Sequence, residues 1–216
     1  LKKFQLGYSP EKSDAFSSSA LKEGYKIEFL EKTGLTIHKT PTNYDRFHGR
    51  VLFPIHSLSG RVLGFGGRIL KNNVKTAKYL NSPESEIYHK SKVLYGMYQA
   101  KNSIVKKEHC LLVEGYTDVI SLHQSGIENV VASSGTSLTI DQIRLIKRFT
   151  KNITLLFDGD TAGIKAALRG VNLILQEGLN VKIVTFPDGE DPDSYAKKAS
   201  SEELENYLYS EAKDFI

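Results

Sequence analysis

The 216-residue chain has no tryptophan, one methionine, one cysteine and six prolines. With Cys110 alone, no internal disulfide can close and no all-cysteine zinc site can assemble. The histidines His38, His48, His56, His89, His109 and His123 are scattered without metal-ligand spacing. No apolar run approaches the ~18 residues of a membrane span, and the start LKKFQLGYSPEKSD has no signal-peptide core. A soluble, cytoplasmic protein without membrane contact is the expectation. No G-x-x-x-x-G-K-[ST] loop is present, which excludes a P-loop motor. GFGG (64–67) carries Ile69 where a dinucleotide fingerprint needs its third glycine, and it follows no βαβ start.

What is present is ordinary in amount and uneven in distribution. Hydrophobic residues make up 40% and charged residues 25%, enough for a normal core. The net charge of +4 conceals a division. Residues 1–108 hold 19 Lys+Arg against 9 Asp+Glu, whereas residues 109–216 hold 10 against 16. A basic half followed by an acidic half suggests two subdomains with different tasks.

In the basic half, SPEKSDAFSSSA (9–20) reads as a loop or linker, and IEFLEKTGL (27–35) as a short helix stopped by Gly34. GRVLFPIHSLSGRVLGFGGRIL (49–70) reads as two strands about the turn SLSG. KYLNSPESEIYHKSKVLYG (78–96) is loop-like, and MYQAKNSIVKK (97–107) reads as a helix. From about residue 109 the pattern changes. Apolar strand-like runs (HCLLVEG, ENVVASSG, NITLLFDGD, NVKIVTFPDGEDPD) alternate with amphipathic helical ones. Continuous apolar strands alternating with helices imply a parallel sheet covered on both faces, with ligands beyond the carboxyl ends of the strands.

Three of those four strand ends are acidic. Glu114 and Asp118 follow the first, Asp158 and Asp160 the third, and Asp188, Glu190, Asp191 and Asp193 the fourth. Neighbouring carboxylates without partners repel one another. Hard oxygen ligands without His or Cys suit Mg²⁺ or Mn²⁺, and an open acidic cluster suggests phosphoryl or nucleotidyl transfer. Taken singly, each piece has a plainer explanation. EGYTD can be a capped helix start with Asp118 near the positive helix end, and DGEDPD a solvated turn. An EF-hand fails at Ala162 and Arg169. Cys110, within an apolar strand, reads as core.

Glu114 in VEGYTDV, then FDGD, then DGEDPD, in that order, resemble the Toprim domain. A longer series is more selective: RFHGRVLFPI, GRVLGFGGR, KYLNSPES, YHKSKVLYG, EGYTDV, FDGDTAG and FPDGEDPD resemble the RNA-polymerase core of bacterial DnaG-type primases. The resemblance spans about residues 4–198. It implies an α/β fold: a Toprim-type parallel sheet flanked by helices at 109–198, preceded by a smaller basic α+β subdomain at 1–108. Residues 199–216 would begin a truncated helical segment.

The resemblance further implies a DNA-directed RNA polymerase that makes short RNA primers on single-stranded DNA during replication. It assigns Glu114, Asp158 and Asp160 to catalysis, and Mg²⁺, replaceable by Mn²⁺, to Glu114, Asp118, Asp158, Asp160, Asp191 and Asp193. Lys78, Asn81 and Lys90 would face ribonucleoside triphosphates; Arg46, Arg50 and Arg68 would face the template. Tyr79, Tyr88 and Tyr95 are available to stack on bases, with core packing the plainer reading. The basic half would then form a template wall and the acidic sheet a nucleotide wall. His48 stands where the family often has arginine. The family's zinc module and the module that docks the replicative helicase are not recognised in this sequence, so a weakly active, monomeric catalytic core is expected. Two other readings stay open: a Toprim enzyme that cleaves nucleic acid, and a DNA-binding module whose acids only shape a surface.

Overall fold

The computed structural model describes residues 2–71, 76–135, 137–157, 161–187 and 189–214, and within 161–168 the backbone alone. The chain divides into two compact units, Leu1–His89 and Lys90–Ile216.

In the first unit, β1 (Gly7–Ser9), β4 (Arg50–His56), β5 (Val62–Ile69) and β6 (Tyr79–Asn81) form an antiparallel sheet in the order β1-β4-β5-β6. Helices α1 (Ala15–Lys22) and α2 (Ile27–Lys32) and the hairpin β2–β3 (Thr36–Lys39, Thr42–Asp45) lie between β1 and β4 in the chain. The long hairpin expected about SLSG is β4–β5, closed by Ser57 N–H to the Arg61 carbonyl at 2.8 Å. Gly34, at φ +68°, ends α2 in the left-handed region that glycine enters without strain. Phe47, Phe53, Ile55 and Tyr88 are buried in this unit. Tyr88 is thus core, as the plainer reading of the tyrosines has it.

One expectation is corrected here. SPEKSDAFSSSA is not a linker throughout, because α1 begins at Ala15. Its serine-rich sequence carries little helical signal, and the residue that starts it lies far away. Asp45, 2% exposed at the end of β3, accepts hydrogen bonds from the backbone N–H of Phe16 (2.6 Å) and Ser17 (3.1 Å). These are orphan donors of the first helical turn, normally satisfied by a residue just before the helix. The loop-like 78–96 likewise contains β6 and a 3-10 turn at Lys90–Lys92.

In the second unit, α3 (Met97–Lys107) precedes a sheet of β7 (Cys110–Val113), β8 (Val130–Ala132), β9 (Asn152–Phe157), β10 (Asn180–Thr185) and β11 (Lys213–Asp214), ordered β11-β10-β9-β7-β8. The four central strands are parallel, and β11 joins the edge antiparallel. Intervening helices are α4 (Tyr116–Gln124), α5 (Ile140–Lys147), α6 (Thr161–Gln176), α7 (Pro192–Lys198) and α8 (Ser201–Ser210). All of β7 and β8 is buried, as continuous apolar runs require in a covered parallel sheet. Cys110 is fully buried core, and that burial pushes its thiol pKa well up.

The division falls at 89/90, whereas composition suggested 108/109. Residues 90–107 go with the parallel sheet: Tyr95 forms a two-bond bridge with Ala132 beside β8, and α3 packs on β8. Tyr95 is 2% exposed and lies edge-on to Tyr116 at 4.7 Å between centroids. The end of the chain is also part of this unit. Tyr207 of α8 stacks on Tyr195 (4.7 Å) and Phe186 (5.6 Å) and donates a hydrogen bond to the Thr185 carbonyl at 2.7 Å.

Two stability outcomes follow. Asp45→Ala orphans two backbone donors of α1 and is expected to lower unfolding free energy by about 1–3 kcal/mol, read from the urea midpoint. Tyr207→Phe should cost about 1 kcal/mol through the lost hydrogen bond, and Tyr207→Ala about 2–3 kcal/mol because the ring stack goes too.

Candidate active site

Strands that run in parallel deliver their carboxyl ends to one edge of the sheet. Cys110, Leu111 and Leu112 of β7 lie opposite Ile153, Thr154 and Leu155 of β9, so these two strands leave the sheet side by side. Glu114 follows β7 directly and is exposed. Phe157, opposite Thr185 of β10, is the last residue of β9. Asp158 and Asp160, the two acids next in sequence, lie outside the described residues, as does Asp188.

The described acids are engaged by protein donors. Asp118 stands at the third position of α4, and its Oδ2 accepts from the Gly115 N–H at 2.9 Å. Asp191 caps α7: its Oδ1 accepts from Ser194 N–H at 2.6 Å, while Ser194 Oγ accepts from Asp191 N–H at 2.9 Å. Asp193 accepts from Ser121 Oγ of α4 and from Lys197 Nζ (2.6 Å), which ties α7 to α4. Glu190 accepts from Lys198 Nζ and from Ser194 Oγ, and the Lys198 ammonium holds its carboxyl below the usual range. The serine and lysine partners were missed in the sequence. The D-P-D-S stretch carries the signal for one of them, proline at the first helical position and a reciprocal cap three residues after the aspartate.

Lys90 comes to the same edge. Its Nζ donates to the Gly135 carbonyl at 3.1 Å, in the loop after β8. Three hydrogen bonds anchor its 3-10 turn and the residue after it to the start of α5: Gln142 Nε2 to the carbonyls of Val93 (2.9 Å) and Lys90 (3.3 Å), and Thr139 Oγ1 to the Ser91 carbonyl (2.6 Å). The neighbouring Ser134 N–H donates to the Glu114 carbonyl at 2.9 Å. A cation and the exposed Glu114 thus border one loop.

Among the described residues no three His, Cys, Asp or Glu side chains converge as a metal cluster. The donor set nonetheless has the right chemistry for a hard divalent cation: carboxylates that follow the strands in sequence, with the chain's one cysteine, Cys110, fully buried in β7. Glu114, Asp158 and Asp160 are the residues that would hold it.

The basic candidates of the first unit form two groups. Arg68 and Tyr79 are cross-strand partners, and the guanidinium carbon of Arg68 lies 5.5 Å from the Tyr79 ring centroid. Asn81, two residues on in β6, shares that face. Lys78 is exposed just before β6. Arg46 is half-buried, its Nε donating to the Gly34 carbonyl at 2.7 Å. Arg50 is 7% exposed, and its Nη atoms reach the carbonyls of Ala77 (3.0 Å), Lys78 (3.2 Å) and Gly67 (3.4 Å). Burial draws the Arg50 pKa below its ordinary value.

Residues 1–101 match the family described as "DNA primase catalytic core, N-terminal domain", and residues 111–196 match "Toprim-like". The DNA primase of Clostridium acetobutylicum is 43% identical over 203 residues, 94% of this chain and 33% of that protein. The chain therefore spans about a third of the length of this curated relative. A crystal structure of the Aquifex aeolicus primase zinc-binding and RNA polymerase domains superposes with a TM-score of 0.92 at 40% identity, covering 99% of this chain and 52% of that one. A DnaG primase catalytic domain bound to single-stranded DNA superposes with a TM-score of 0.86 at 39% identity, covering 99% of this chain and 69% of that one. With matches at this identity along nearly its whole length, the chain belongs to the DnaG-type DNA primase family and corresponds to part of its catalytic core.

Proposed function

We propose that this chain carries the nucleotidyl-transfer centre of an enzyme that makes short RNA primers on single-stranded DNA. The observation that supports this most is the parallel pairing of β7 with β9, which sends Glu114 and the chain entering Asp158 and Asp160 off one edge of the sheet. The single-stranded DNA bound to a relative of the same fold supports a template of that kind.

In this reading a ribose 3′-oxygen attacks the α-phosphorus of a ribonucleoside triphosphate. A phosphodiester bond forms, the α–β bridging bond breaks and pyrophosphate leaves. Glu114, exposed beside the reacting groups, accepts the hydroxyl proton. Lys90 and Lys78 hold triphosphate oxygens by charge, and Asn81 hydrogen-bonds the nucleotide. Arg46 and Arg68 take template phosphates, and Tyr79, already stacked with Arg68, offers a ring to a base. Toprim-type primases are metal-dependent. Mg²⁺ or Mn²⁺ held by Glu114, Asp158 and Asp160 would neutralise charge developing on the phosphates. Asp118, Asp191 and Asp193 act one step out: their caps and cross-links set α4 and α7 at the acidic edge. The replicative helicase is the proposed partner of the whole protein, which works at the replication fork in the cytoplasm.

Glu114→Gln is expected to reduce templated ribonucleotide incorporation by about 10²–10⁴-fold while leaving single-stranded DNA affinity unchanged. Asp160→Asn should weaken Mn²⁺ binding at least tenfold in a calorimetric titration, a readout that needs no turnover. Unchanged Mn²⁺ affinity would remove the metal assignment, and cleavage of supercoiled DNA with Mg²⁺ and no nucleotides would replace primer synthesis by strand cutting.

The affinity for single-stranded DNA should also fall with salt. The slope of log affinity against log salt is expected to be about −0.7 per neutralised phosphate, so near −1.4 for Arg46 and Arg68 together. A flat response would count against a basic template surface.

A further inference from the structure

Arginines that bind nucleic-acid phosphates keep their guanidinium in water until the ligand arrives. Arg50 does not: it is 7% exposed and already committed to three main-chain carbonyls. A buried guanidinium is tolerable when its donors are satisfied, and the carbonyls of Gly67, Lys78 and Ala77 supply that satisfaction. Two of the three belong to the residues immediately before β6.

The path to those carbonyls crosses β5 at Gly67. A Cβ on Gly67 would lie 2.6 Å from Phe47 Cδ1 and 3.1 Å from Arg50 Cδ, closer than side chains pack. Glycine at 67 therefore leaves the gap through which Arg50 passes. The Lys78 carbonyl also accepts from Ile69 N–H at 3.0 Å, so it is held twice, by the sheet and by Arg50. Strand β6 has three residues and a correspondingly short ladder of its own. Without the guanidinium, the Lys78 carbonyl keeps the Ile69 bond and the Ala77 carbonyl loses the Arg50 donor.

We propose that Arg50 is a positioning residue: passing over Gly67, its guanidinium clamps the Ala77 and Lys78 carbonyls and so sets the exposed Lys78, and β6 behind it, for the incoming triphosphate. The link to the triphosphate rests on the proposed nucleotidyl transfer; the clamp itself does not. The device depends on a planar fork with several donors. Lysine keeps the charge but is a point donor on a flexible stem and cannot span the three carbonyls. Charge alone and fork geometry therefore make opposite demands on the variant Arg50→Lys.

The test uses Arg50→Lys, Arg50→Ala and Gly67→Ala in the full chain. Amide hydrogen exchange is followed by NMR without DNA or nucleotide, with β4 as internal reference. The expected result is exchange in residues 78–81 accelerated at least tenfold in all three variants, with Phe53 and Ile55 of β4 changed less than threefold. Unchanged exchange in 78–81, or an equal rise in β4, would overturn the clamp. In templated incorporation, both Arg50 variants should raise the nucleotide KM about tenfold with kcat within about threefold. Adding Arg50→Lys to Lys78→Ala should raise the nucleotide KM by less than the product of the two single effects, since one acts in part through the other; a full product would count against the link to Lys78. The salt slope of DNA binding should match the unsubstituted chain. A slope shallower by about 0.7 in Arg50→Ala but restored in Arg50→Lys would overturn the proposal in favour of a template-phosphate contact. Should Lys78→Ala leave the nucleotide KM unchanged, the triphosphate link falls with the assignment of Lys78, and the exchange data still decide the clamp.

Discussion

The parallel pairing of β7 with β9 is the constraint on which the rest of the second unit depends. Parallel strands point the same way, so the chain leaves them from one edge, Glu114 directly after β7. Antiparallel pairing would send alternate ends to opposite edges. The parallel arrangement is held by strands buried throughout, β7 and β8 without one exposed residue, as a sheet covered on both faces requires.

The described acids near that edge are held in graded ways. Asp118 and Asp191 accept backbone N–H bonds at the starts of α4 and α7, where the helix dipole also favours negative charge. Asp193 meets a hydroxyl of α4 and an ammonium of its own helix, and Glu190 meets Lys198. Glu114 differs from them in being exposed at the strand tip. Acids that orient helices and an acid exposed at a strand tip thus stand within a few residues of one another.

A comparable separation runs through the arginines of the first unit. Arg68 lies over the Tyr79 ring, on the face that Asn81 shares, and Arg50 is turned into the sheet's opposite side, where Gly67 makes room for it. Strand alternation decides this, because cross-strand partners share a face and residues one apart do not. Formal charge does not distinguish the two. The guanidinium of Arg50 ends on main-chain carbonyls, whereas that of Arg68 lies over an aromatic ring.

Local sequence was enough for the alternating strands and helices of residues 109–185, because continuous apolar runs and helical periodicity are properties of neighbouring residues. It was enough, too, for the order of acidic strand ends and for the family resemblance, both of which are linear patterns. Tertiary structure alone decided what depends on distant partners. Asp45 starts α1 from twenty-nine residues away in sequence, where serine-rich chain reads as linker. Tyr95 joins Ala132 and draws residues 90–107 to the parallel sheet, which composition had assigned to the basic half. Arg50 reads as one more basic residue in RFHGRVLFPI until three carbonyls from two other parts of the chain close around it. A charge is legible in sequence, but the atoms that satisfy it are set by the fold.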